Sequence, residues 1–188
     1  MDLFSSYFST GAWHVADWNQ LSLPLFLLVL FIVRTLSDYR SGLLVILLLF
    51  VANLTGMGFS AADVFYVRPQ MAAFIFPVLV TGLAVFNIFG AGAKPSAVLE
   101  KTGYAMAILF GLTHGLSLGV GYSEAIPLVA FCLGFAVGVL VLAFVILCLS
   151  SLALFFGVNR RDFVLVVSSI AIGVMIPYLV RYFPFTVR

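Results

Sequence analysis

The sequence predicts an all-α polytopic membrane protein: one integral-membrane domain over residues 1–188, made of a six-helix transmembrane bundle and an N-terminal interfacial helix. Composition is the first reason. Hydrophobic residues make up 64% of the chain and charged residues 9%, with a mean hydropathy of +1.24. A soluble globular domain carries about 25% charged residues and could not cover its surface with so few. The second reason is the length of the apolar runs, most of which reach the roughly 20 residues that cross about 30 Å of hydrocarbon. The third is the placement of aromatic rings. Tyr39, Tyr66, Tyr104, Tyr122, Tyr178 and Tyr182 all stand within a few residues of the end of a run, at the headgroup level that amphipathic rings prefer.

Residues 1–20 carry Phe4, Tyr7, Phe8, Trp13 and Val15, with Asp2 and Asp17 as their charges, a pattern that predicts a helix lying in the membrane interface. Apolar runs follow at about 21–36, 43–59, 71–89, 103–122, 126–156 and 163–180. The first is short and ends at Arg34. The fifth would be about 46 Å long as a straight helix, so it must tilt, kink or project beyond the headgroups. The first basic residue of the chain is Arg34, so no basic segment opens a cleavable signal and the N-terminus is expected to be retained. The first, third and fifth loops hold Arg34, Arg40, Lys94, Lys101, Arg160 and Arg161, against Arg68, Arg181 and Arg188 on the other side. The positive-inside rule then places the basic loops in the cytoplasm and both termini in the periplasm of a bacterial inner membrane.

The net charge is only +2 and the nine basic residues are scattered, which excludes nucleic acid as a partner. The expected partners are the lipid bilayer and other membrane proteins. Cys132 and Cys148 fall on one helix about 24 Å apart, too far for a disulfide, and read as small apolar core residues.

Small residues predict which helices touch. The fourth run has Gly111, Gly115 and Gly119, and the fifth has Ala130, Gly134 and Gly138; stripes repeating every four residues let backbones approach closely in lipid. The fourth and fifth runs are therefore expected to pack together. His114 lies beside that stripe and is the one ionisable side chain well inside an apolar run, which marks it as a functional candidate. Few polar residues are available to join it. Asn53, Thr55, Thr81, Asn87, Thr113 and Ser117 fall in the runs and none is an acid. Ser117 is three residues from His114 on the same helical face, and His114, Asn53, Ser117, Thr81 and Asn87 are the candidates for a substrate path or a self-satisfied polar cluster. His14 and Asp17, three residues apart, read as an interfacial pair at the outer mouth.

Several segments resemble, in order and over nearly the whole chain, the HupE/UreJ family of small bacterial membrane proteins, regarded as permeases of nickel or related metals. They are Gly11-Ala-Trp-His14-Val-Ala-Asp17, Phe76-Pro77, Phe86-Asn87, Phe110-Gly-Leu-Thr-His114-Gly115, Leu128-Val-Ala-Phe131-Cys-Leu-Gly134, Arg160-Arg-Asp162 and Arg181-Tyr-Phe-Pro184. The resemblance implies a transporter-type fold. It also implies losses: the family's Asp-His pair at the head of the first span falls on Ser22-Leu23, its second-span His on Asn53, its third-span Glu on Ala73, and its fifth-span Glu and Gln on Ala136 and Val139. His114 is what remains. A divalent transition metal leaving water needs several ligands, so tight nickel binding in the bundle is not expected, and neither a metal site nor another cofactor is assigned.

Two functions follow. One is a permease that carries a small solute or metal ion past His114, Asn53 and Ser117, whose sign would be a wet path to His114. The other is a non-transporting accessory subunit of a larger membrane complex, with the emptied site filled by apolar side chains. No enzyme is expected: a hydrolase built on Ser117 and His114 would need base and nucleophile facing each other, and two residues on one helical turn do not. Bis-histidine haem ligation would require His14 to approach His114 from the outer boundary.

Overall fold

The computed structural model of the chain describes residues 2–17, 20–92, 97–118 and 125–183. Seven α-helices follow one another: α1 (Leu3–His14), α2 (Ser22–Phe31), α3 (Tyr39–Ala61), α4 (Pro69–Gly90), α5 (Ala97–Leu118), α6 (Ala125–Phe155) and α7 (Arg160–Arg181), with a 3-10 turn at Leu36–Asp38 ahead of α3. No strand occurs among the described residues. The outward faces are apolar, as at Leu43, Leu47, Val51 and Leu54 on α3 and Val137, Val141 and Phe144 on α6, which is the surface a hydrocarbon solvent requires.

Six spans are expected from the sequence. Four segments are long and apolar enough to cross a membrane among the described residues: Leu36–Ala61, Pro69–Gly90, Ile126–Phe155 and Arg160–Arg181. The first apolar run yields only the 10 residues of α2, about 15 Å of helix. α5 has 22 residues but includes Glu100, Lys101, Thr113, His114 and Ser117, which dilute its hydropathy. The fifth run is one unbroken 31-residue helix.

Around the end of α2, polar side chains take carbonyls that a continuing helix would have bonded. Asn87 Nδ2 on α4 donates to the Val29 carbonyl at 2.8 Å, Arg34 Nη1 donates to the Leu30 carbonyl at 2.5 Å, and an Arg160 guanidinium nitrogen on α7 donates to the Val33 carbonyl. Helix C-termini leave such carbonyls without partners, and in lipid each must be satisfied inside the protein. Cationic donors there also suit the negative pole of the helix.

The helices associate in pairs that differ from the expected one. The glycines of α5 face α3, not α6: a Cβ on Gly115 would sit 2.0 Å from the Asn53 carbonyl oxygen, and one on Gly111 would sit 2.4 Å from that of Leu49. α3 answers with Gly56, where a Cβ would be 2.4 Å from the Leu112 carbonyl oxygen. The glycines of α6 face α1. A Cβ on Gly134 would lie 1.9 Å from the Phe8 carbonyl oxygen and one on Gly138 2.5 Å from that of Ala12, while Gly11 of α1 would place its Cβ 2.2 Å from the Phe131 carbonyl oxygen. Gly119 lies outside the described residues. In both pairs contacts rise together along the two chains, so α3 runs parallel to α5 and α1 parallel to α6. The third extensive pairing is α4 with α7.

The interfacial placement expected of residues 1–20 is not confirmed. α1 lies lengthwise on α6, with Gly11 and the following Val15 buried, Val15 being 1% exposed. The reason is that Gly11 allows backbone contact, which the amphipathic aromatic pattern did not reveal. Gly115→Leu and Gly134→Leu are therefore expected to abolish the folded protein, and the corresponding alanine variants to cost about 1–3 kcal/mol or more through overpacking. Gly82→Ala and Gly173→Ala, with nothing within 4 Å of the added Cβ, should be tolerated. Thermal unfolding in detergent reads the difference.

Candidate functional site

The α3–α5 contact carries Asn53 and His114 to one point. Both are buried, and the His114 imidazole donates from Nδ1 to Asn53 Oδ1 at 2.9 Å. Asn53 Nδ2 donates in turn to Met57 Sδ at 3.6 Å, and Cys132 Sγ of α6 donates to the same sulfur at 3.6 Å. A thioether only accepts, so it fixes which end of the Asn53 amide faces His114. That orientation makes Nδ1 the protonated nitrogen of His114. The Nε2 lone pair is left pointing the other way.

On that side stands His14. The α1–α6 contact brings its Nε2 to 3.4 Å from Nε2 of His114, with the ring centroids 5.4 Å apart and the planes at 48°. The sequence reading kept His14 at the outer boundary, paired with Asp17, and found no second histidine at the depth of His114. The fold overturns that separation: the Nε2 lone pair of His114 faces Nε2 of His14. Aromatic rings enclose the pair, with Phe76, Phe110 and Phe135 within 6 Å of the His114 ring centroid and Phe131 at 5.6 Å from that of His14. A haem plane has no room between two imidazoles so close and so surrounded.

Of the other sequence candidates, Ser117 donates to the carbonyl of His114 at 2.7 Å and so buttresses the last turn of α5. Thr81 is not part of the cluster, and its buried hydroxyl has no hydrogen-bond partner among the described residues. Asn87 caps α2 at the opposite end of the bundle. Thr55 and Thr113 return their hydroxyls to Val51 and Leu109, one turn earlier on their own helices. Cys132 and Cys148 are free thiols.

His114 is not sealed. His114 lies one turn before Leu118, the last residue of α5, and a cavity of about 300 Å³ reaches it, lined also by Gln20, Ser117, Phe76 and Tyr178. Ala73 lines the same cavity, and Pro77, inside α4, deprives the Ala73 carbonyl of its intrahelical donor. A second cavity, about 530 Å³, opens at the other end around Arg34, Asn87 and Arg160. Between them the core is closed: Phe26 of α2 stacks on Phe110 of α5 with centroids 3.9 Å apart, and Val80 and Leu83 of α4 are 0% and 2% exposed. From Phe76 to Asn87 along α4 is about 16 Å.

Two imidazole nitrogens 3.4 Å apart can share a proton or a metal ion. Tetrahedral coordination at about 2.0–2.1 Å per bond sets neighbouring nitrogens about 3.3–3.4 Å apart, and the Asn53 contact is the outer-shell hydrogen bond that orients a ligating histidine. No group of three or more His, Cys, Asp or Glu residues able to hold a metal occurs among the described residues. The pair would thus bind an ion that keeps some of its water. No family model, no curated protein and no solved structure matches the chain.

Removing the amide partner should cost stability, because the Nδ1 hydrogen of His114 would be buried without an acceptor. Asn53→Ala is expected to lose about 1–3 kcal/mol. In a double-mutant cycle with His114→Phe, thermal unfolding should show that most of this loss vanishes once the imidazole is gone.

Proposed function

We propose that this membrane protein is a permease of HupE/UreJ type, in a bacterial inner membrane with both termini periplasmic, that admits a transition-metal cation to the His14–His114 pair. Two observations carry this reading: His114 lines a cavity of about 300 Å³, and its Nε2 stands 3.4 Å from that of a second imidazole, His14. Apolar helices support the membrane setting, and the resemblance in the order of sequence motifs is what supports the family. The absence of intramembrane acids fits a centre of passage better than a storage site. Conduction requires binding strong enough to enter and weak enough to leave, and two neutral nitrogens with retained water meet both conditions.

A path on from the pair must pass the Phe26–Phe110 stack, so transport requires those rings to part. The same closed core supports a second reading, an accessory subunit in which the histidine pair only joins α1 to α5. Uptake of Ni²⁺ or Zn²⁺ into vesicles containing the purified chain separates the two. On the permease reading, His14→Ala and His114→Ala each lower uptake at least about tenfold, as expected for loss of one of two ligands, while Thr81→Ala leaves it unchanged. Uptake by the parent no faster than by empty vesicles, or equal uptake by both histidine variants and the parent, would favour the subunit.

A further inference from the structure

We propose that the arginine-lined cavity at the α2–α7 end of the bundle binds a phosphate-bearing anion through Arg34, Arg160 and Arg161. Its volume, about 530 Å³, lies in the range of small-ligand sites. The three guanidinium groups come from two distant parts of the chain, the segment after α2 and the first turn of α7, and all line this cavity. Arg34 is only 6% exposed. A buried cation needs a counter-charge, and the two carboxylates that line the cavity are engaged elsewhere. Asp38 Oδ2 accepts from the Thr35 backbone and hydroxyl at 3.0 Å each, and Glu100 accepts from the Tyr104 hydroxyl.

Those carboxylates act on Arg34 through space. Burial pushes its guanidinium below the ordinary value, with Tyr104, Glu100 and Asp38 opposing that shift. One nitrogen of Arg34 is spent on the Leu30 carbonyl, and Nε reaches Ser41 Oγ at 3.4 Å. A guanidinium has five N–H donors, so donors remain. Arg160 and Arg161 are exposed, and they open a 22-residue helix whose cap, Asn159, accepts from the Arg161 backbone nitrogen at 2.9 Å. The positive pole of α7 therefore adds to the cationic side chains. Phosphate suits this set better than chloride, because the planar fork matches two oxygens of a tetrahedral oxyanion. The chemistry is common to a phospholipid headgroup and to a soluble phosphate. The site lies at the opposite end of the bundle from the histidine pair and stands independently of the transport reading.

The competing account is structural: Arg34 and Arg160 would serve only to cap the carbonyls of α2. The full chain in phosphatidylcholine nanodiscs distinguishes the two by thermal unfolding with inorganic phosphate, with chloride at matched ionic strength, and with phosphatidic acid replacing part of the lipid. Binding predicts a rise of roughly 3 °C or more with phosphatidic acid or phosphate and none with chloride. A response to phosphatidic acid alone assigns the site to a headgroup, and a response to inorganic phosphate as well assigns it to a soluble ligand. R160Q/R161Q, two exposed positions, should raise the concentration required at least about tenfold through loss of charge-assisted hydrogen bonds. Arg34→Lys should weaken the response by removing the fork. No response to either phosphate source, a response equalled by chloride, or a response unchanged in R160Q/R161Q would overturn the proposal.

Discussion

Because Gly11, Gly56, Gly115 and Gly134 have no Cβ, carbonyl oxygens of the facing helices occupy the space where one would be, 1.9–2.4 Å from its position. Two parallel helix pairs can then close backbone to backbone. In lipid no hydrophobic force draws helices together, so close van der Waals packing must do so. The two contacts share one design. Gly115 meets the Asn53 carbonyl and the Met57 amide, and Gly134 meets the Phe8 carbonyl and the Ala12 amide; Gly56 answers against Leu112 and Leu116, and Gly11 against Phe131 and Phe135. The histidine cluster is placed by these contacts, since one pair delivers Asn53 and His114 and the other delivers His14.

The polar groups then order one another. Met57 accepts from Asn53, which orients the amide, which sets the tautomer of His114, which directs a lone pair at His14. No acid takes part in this sequence of contacts; Asp17 acts on His14 through space, and Phe76, Phe110, Phe131 and Phe135 stand around the two imidazoles. At the other end, Asn87 and Arg34 satisfy carbonyls of a helix that stops after 10 residues, Arg160 satisfies that of Val33 just beyond it, and the same arginines line a cationic cavity. The bundle therefore has two openings of different chemistry separated by stacked phenylalanines.

Much of this was legible in the sequence at the level of helices and little at the level of partners. Hydropathy located α3, α4, α6 and α7 to within a few residues, because lipid-facing helices must be apolar over their full length. It overestimated the first run: Leu23 to Val33 is apolar throughout, yet α2 ends at Phe31, where carbonyls are taken by Asn87, Arg34 and Arg160, two of them from distant helices. The glycine stripes were visible, but a stripe announces a close contact without naming its partner. Gly11 and Gly56, each a lone glycine in its helix face, were the missing halves. Asn53 with His114 was foreseeable as a polar pair inside apolar runs. His14 was not, because its neighbours Trp13 and Asp17 resemble an interfacial segment and only the α1–α6 contact carries it inward.

The central claim is that α1 folds onto α6 and brings His14 against His114. The chain contains two histidines, so selective ¹³C,¹⁵N-histidine labelling gives two spin systems and no others. Solid-state NMR of that sample in lipid bilayers tests the contact directly. The account predicts cross-peaks between the two imidazole rings and a His114 protonated at Nδ1. Two isolated spin systems without inter-ring transfer would contradict it.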